Sequence, residues 1–148
     1  MIAATVAGAP VPTTEVDARE AALRSSAQAA ALPRPHTSEG RQLRRWLTQV
    51  LVTERVVARE ADALGVVVTA DVVVDDVTVA DYHRRNPRRF AADSEADAFR
   101  KIAEMLRGAA RRRAFRHWLD QRRAALVWLA PGYEHPGDPR QPDNVHRH

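Results

Sequence analysis

No cysteine occurs in the 148-residue chain, which excludes disulfides, thiolate nucleophiles and cysteine-based zinc or iron–sulfur sites. Any metal site has to be built from His, Asp or Glu. Lysine is almost missing as well: Lys101 is the only one, so the basic surface is arginine, in the pattern of a GC-rich coding sequence. No stretch reaches the roughly 18 apolar residues that a membrane span needs. The first residues, from Met1 to Gly8, carry no basic leader and too short an apolar run for a signal peptide. These absences give the expectation of a cytoplasmic protein with no membrane partner. What is present is a composition that is 45% hydrophobic, enough for one domain with a core and too short a chain for two ordinary ones. Residues 1–130 read as a helical domain and 131–148 as a tail.

The tail holds three of the six histidines, together with Glu134, Asp138, Asp143 and four prolines. Such a segment cannot bury enough apolar surface to order itself, so it lies against the body, binds something or stays disordered. Charge is also unevenly placed in the body. Between 100 and 123, Arg100, Lys101, Arg107, Arg111–Arg113, Arg116, Arg122 and Arg123 are set against only Glu104 and Asp120, which suits an acidic partner.

Ile2 to Val6 is β-prone and ends at the turn signal Gly8-Ala9-Pro10. Thr13 or Thr14 offers a helix cap with Glu15 and Asp17 in the first turn, and this helix is expected to run to about Ala31, before Pro33 and Pro35. A second start at Thr37 and Ser38 opens the clearest amphipathic helix, with Leu43, Trp46, Leu47, Val50, Leu51 and Val57 at three- and four-residue spacing. Gly65 closes it as a left-handed residue after about 27 positions. Residues 66–76 read equally as strand or helix start. Thr78 begins a short helix carrying Tyr82 and His83 that stops at Asn86, before Pro87. Ser94 with Asp97 opens a long basic helix in which Gly108 is the weak point and a candidate kink. Leu126 to Leu129 reads as a second strand, paired most economically with the first. The expected fold is mainly α, with two long helices and a small two-stranded sheet joining the termini.

Four motifs stand in an order that resembles the helical region of the SurA and PrsA type of parvulin-class foldases. These are Thr5-Val6-Ala7-Gly8-Ala9-Pro10-Val11-Pro12 with Val16-Asp17-Ala18-Arg19; Leu51-Val52-Thr53-Glu54 followed by Glu60 to Thr69; Tyr82-His83-Arg84-Arg85-Asn86-Pro87-Arg88-Arg89-Phe90; and the closing helix with its Leu126–Leu129 strand. In that family an isomerase domain follows the third motif, whereas here Phe90 leads almost directly to Phe99. The resemblance therefore implies the helical chaperone cradle alone, over residues 3–129, without prolyl isomerase activity. The family works outside the cytoplasm, and this chain departs from it in lacking an export signal. A second similarity, to small actinobacterial proteins labelled malonyl carrier-protein transacylases, would require a serine in a Gly-x-Ser-x-Gly elbow. Ser25, Ser26, Ser38 and Ser94 have no such context, so acyl transfer is rejected.

Two functional readings follow. In the leading one the chain is a non-catalytic, chaperone-like protein that holds a peptide or protein client between its long helices, with Trp46, Leu47, Phe99 and Phe115 as apolar anchors and arginines selecting acidic clients. In the alternative the tail binds a divalent transition metal (zinc, copper, nickel or iron) through Glu134, His135, His146 and His148, as an enzyme or an accessory factor. His146 and His148 point the same way on an extended segment. His83 and His117 are read as ordinary helix histidines. Arg111-Arg112-Arg113 with Phe115 and Trp118 mixes guanidinium and aromatic groups as nucleic-acid surfaces do, but a solvated face, or ion pairs to the acidic tail, explains it better. Nucleic acid is not expected as a partner. A homodimer is a further expectation, because helical cradles of this type exchange terminal elements.

Overall fold

The computed structural model of the protein describes residues 1–64 and 73–144. They fall into two compact units: Met1–Gly65 with Gln121–His148, and Val66–Asp120. Gly65, and the stretch from 66 to 72 that sequence left undecided between strand and helix, lie outside the described residues.

The first unit is built on a three-stranded antiparallel sheet, ordered β2-β1-β3, of β1 (Ile2–Val6), β2 (Ala9–Pro12) and β3 (Val127–Leu129). Sequence led us to expect two strands. The missed strand, β2, contains Pro10 and Pro12, which lower strand propensity, and they are tolerated because β2 is an edge that pairs only with β1. The β1–β2 turn needs a left-handed backbone at both central residues, supplied by Ala7 (φ 49°) and Gly8 (φ 81°). The pairing of first and last strands is as expected, with Ala4 opposite Leu129 and Val6 opposite Val127. Backbone bonds from Ala7 to Leu126 (2.8 Å) and from Ala130 to Ala3 (2.9 Å) extend it at either end.

Helix α1 (Thr13–Arg24) follows β2 directly. It ends seven residues short of Ala31, because the Ser25 and Ser26 hydroxyls donate to the carbonyls of Ala21 and Leu23 and close the last turn. A single 3₁₀ turn at Ala29–Ala31 follows. Helix α2 (Ser38–Leu64) has the expected length of 27 residues and packs on α1 and β1. Leu47, Val52 and Val56 are essentially inaccessible and face Ala3, Ala4, Val11 and Val16 across the core of this unit. Around that core, the bidentate pair Arg19–Glu54 and the pairs Arg55–Glu15 and Arg44–Glu20 tie α2 to α1.

In the second unit, helix α3 (Asp76–Arg85) is capped by Asp75, whose carboxylate accepts from the Thr78 amide at 2.7 Å. The helix thus starts before Thr78, which serves as the capped donor. It ends at Asn86, ahead of a 3₁₀ turn (Pro87–Phe90). Helix α4 (Glu95–Leu126) begins where Ser94 accepts from the Asp97 amide and runs unbroken through Gly108, its residues up to Asp120 belonging to this unit and those from Gln121 to the first. Val79, Phe90, Ala98 and Ile102 form the core of this unit, with Tyr82, Phe99 and Leu106 half-buried against it. His83 packs edge-on to Phe99, 5.3 Å between ring centres. It is a packing histidine, as its setting on a short amphipathic helix suggested.

Candidate functional site

Thr37 caps α2 by accepting from the Gly40 amide at 3.0 Å while its hydroxyl donates to the Arg34 carbonyl at 2.7 Å. This folds the loop at 33–37 tightly over the first turn of the helix. The approach is so close that a Cβ on Gly40 would collide with the Arg34 carbonyl oxygen. One wall of a groove is thereby set beside the exposed face of α2.

The opposite wall is the tail. After β3 the chain turns at Gly132 (φ 91°), and Gln49 on α2 donates to the Tyr133 carbonyl at 3.1 Å. From 135 to 144 the backbone is a string of short turns. His135 Nδ1 accepts from the Gly137 amide (2.9 Å), Gln141 donates to the Pro136 carbonyl (3.1 Å), and Asn144 donates to the Asp138 carbonyl (3.2 Å). The string is fastened to α2 at Asp143. Its carboxylate accepts from Arg41 Nε and Nη2 at 2.8 and 2.6 Å and from Arg45 Nη1 at 2.7 Å, and its carbonyl accepts from Gln42 at 2.9 Å. The bonds from Arg41 and Arg45 hold the Asp143 carboxyl well below the usual carboxylate range, against the opposing effect of burial. Of the three fates open to a polar tail, packing against the body describes residues 131–144. Asp143 and Glu134 pair with arginines of α2 and Asp138 with Arg140 of the tail itself, and the basic α4 segment from 107 to 116 contributes none of those bonds.

Between the two walls lies an open groove of 580 Å³, lined among others by Pro33, Leu43, Trp46, Pro136 and Asn144. Trp46 is 51% exposed there. Gln42 also borders it, and the Gln42 Oε1 atom is buried without a hydrogen-bond partner among the described residues. A buried acceptor left in this state costs roughly 1–3 kcal/mol.

The four anchors expected from sequence are divided between the two units, and only one of them lines the groove. Trp46 lines the groove. Leu47, one position further round the helix, is 1% exposed in the core and cannot touch a client. Phe99 and Phe115 belong to the other unit, where Phe99 packs on His83 and Phe115 lies 5.7 Å from Trp118. The residue overlooked was Leu43, three positions before Trp46 and on its face of α2. The i, i+3 relation carried that signal in the sequence.

Of the expected metal set, Glu134 and His135 lie among the described residues. Glu134 accepts from the Gly132 amide at 2.9 Å and lies 3.7 Å from Arg45 Nε, and His135 is engaged with Gly137. His146 and His148 lie outside the described residues. Among the described residues, no group of three or more His, Asp or Glu side chains is placed to hold a metal ion. No helix among them is long and apolar enough to cross a membrane.

The chain is thus a mainly α protein with a small antiparallel sheet and an arginine-fastened tail. Residues 2–39, which cover β1, β2, α1 and the loop before α2, match a family described as a family of unknown function (DUF7158). No curated protein and no solved structure matches the chain.

Proposed function

We propose that the protein is a non-catalytic, chaperone-like binder of a peptide or protein client, and that the groove beside Trp46 is where the client lies. The half-exposed indole in a groove of this size is the observation that carries the reading, since large aromatic side chains in pockets are the commonest energetic anchors of interfaces. Leu43, Pro33 and Pro136 supply apolar contact along the same groove. The order of motifs resembling the SurA and PrsA helical region is consistent with client binding in the absence of an isomerase domain.

The test is anisotropy of fluorescent nine-residue peptides, apolar and extended, with suppression of aggregation of an unfolding reporter protein as a second readout. Wild-type protein is expected to bind and to suppress, and Trp46→Ala to lose binding by about tenfold or more, the size of a hot-spot truncation. Equal binding by wild type and Trp46→Ala removes the groove from the reading. Tail metal binding is the second proposal carried over from the sequence, and elemental analysis of protein purified without chelators decides it.

A further inference from the structure

Helix α4 buries Ala98 and Ile102 and no other residue. Beyond them, Arg107, Arg111, Arg112, Arg113 and Arg116 fall within ten positions, about 15 Å of helix at 1.5 Å per residue. Arg111, Arg112, Arg113 and Arg116 are exposed. Among the described residues none of these five guanidiniums makes an ion pair or hydrogen bond. The two acids that flank them on the same helix, Glu104 and Asp120, form no ion pair with them among the described residues, and in the tail Asp143 is engaged with Arg41 and Arg45 and Asp138 with Arg140. Five arginines flanked by two acids leave a net positive segment that suits a polyanion.

The directions of the side chains say which kind. At about 100° per residue the five arginines are spread over about 240° of the helix circumference, so they do not form one face. The apolar stripe of Ala98, Ile102 and Ala109 is continued by Arg112, Arg113 and Arg116. A bilayer or the acidic surface of a protein touches a helix from one side and leaves the far guanidiniums unmatched. The major groove of duplex DNA, about 12 Å wide, admits a helix 10–12 Å across and lines it with phosphates on both walls. With one phosphate per 3.4 Å on each strand, 15 Å of helix passes about four on each side. We infer that the Arg107–Arg116 segment of α4 binds duplex DNA through its phosphates, seated in the major groove.

The experiment is anisotropy of a labelled 20-base-pair DNA duplex with the full chain over a series of salt concentrations. Binding on the order of 10⁻⁶ M at low salt is expected, with log K falling against log salt with a slope of about −4.5, that is 0.9 for each of five neutralised phosphates. The triple variant Arg111→Gln, Arg112→Gln, Arg113→Gln should bind at least tenfold more weakly and lose about 2.7 from the slope. Arg34→Gln, Arg59→Gln, Arg88→Gln removes the same charge elsewhere on the surface and should change affinity less than twofold. Because the helix residues are exposed, circular dichroism should show both variants folded. The inference is overturned by a wild-type slope near zero, which needs no variant. It is also overturned by equal losses in the two triple variants, or by tighter binding to single-stranded DNA, poly-glutamate or vesicles of anionic lipid than to the duplex.

Discussion

Arg45 and Asp143 stand 98 positions apart and meet at 2.7 Å, with 4% and 8% of their side chains exposed. Around this pair the tail is fastened to α2, and the second arginine, Arg41, closes on the same carboxylate from the solvent side. Removing the carboxylate leaves the Arg45 guanidinium buried with Glu134, at 3.7 Å, as its remaining acidic neighbour among the described residues. Breaking such a pair from one side is far more damaging than its net contribution suggests. Asp143→Asn is expected to cost about 3 kcal/mol, read as a lower urea midpoint, and to speed proteolytic cleavage between 135 and 144. A change below about 1 kcal/mol would mean that the tail is held by its backbone bonds instead.

The pH dependence of the clamp has a definite sign. Asp143 titrates lower in the folded protein than in the unfolded chain, because Arg41 and Arg45 bond its ionised form. Its contribution to stability is therefore complete above the unfolded value of about 3.9 and fades as pH falls through the depressed folded value. With Trp118 and Trp128 replaced by Phe, Trp46 emission reports on the groove. It is expected to stay constant from about pH 7 to pH 5 and to shift only in strong acid. A transition between these two values would assign the docking of the tail to another group.

Adjacent residues on α2 give opposite phenotypes. Leu47→Ala empties a core position and should cost about 2–5 kcal/mol of stability. Trp46→Ala removes a side chain that is 51% exposed and should leave the unfolding midpoint nearly unchanged while lowering client binding. If the Trp46 variant proves the less stable of the two, the indole belongs to the core and the groove loses its anchor.

Gly40 offers a substitution whose sign is contrary to helix propensity. Alanine normally gains about 1 kcal/mol over glycine inside a helix. At Gly40 a methyl group would run into the Arg34 carbonyl oxygen and come within 3.3 Å of Thr37 Oγ1, so the loop that forms one groove wall must move. Gly40→Ala is expected to destabilise by about 1–3 kcal/mol and to weaken client binding together with stability. An unchanged or raised melting temperature would show the loop to be free to yield.

Both long helices and the pairing of Ile2–Val6 with Leu126–Leu129 could be read from the chain, because periodicity and capping residues are local signals. Strand β2 could not, since Pro10 and Pro12 argue against a strand unless its edge position is known. The stop of α1 at Arg24 was hidden because it depends on two serine hydroxyls bonding backwards. Of the site, Trp46 was legible as a large apolar side chain. The single helical step between Trp46 and Leu47 puts one outside and the other in the core, a difference that residue type alone does not carry. The Arg41–Asp143–Arg45 clamp had no sequence signal, since nothing local links residues about a hundred positions apart.

The order of strands in the sheet bears on how the chain is made. Strand β1 leaves the ribosome well ahead of its partner β3, which is synthesised more than a hundred residues later. Until then β1 has β2 on one side and a bare row of amide and carbonyl groups on the other, open to pairing with any passing strand. Residues 66–120 form one continuous stretch and are complete before that gap closes. During translation the first unit therefore waits for its last segment, and a ribosome stalled before residue 127 carries an unfinished sheet.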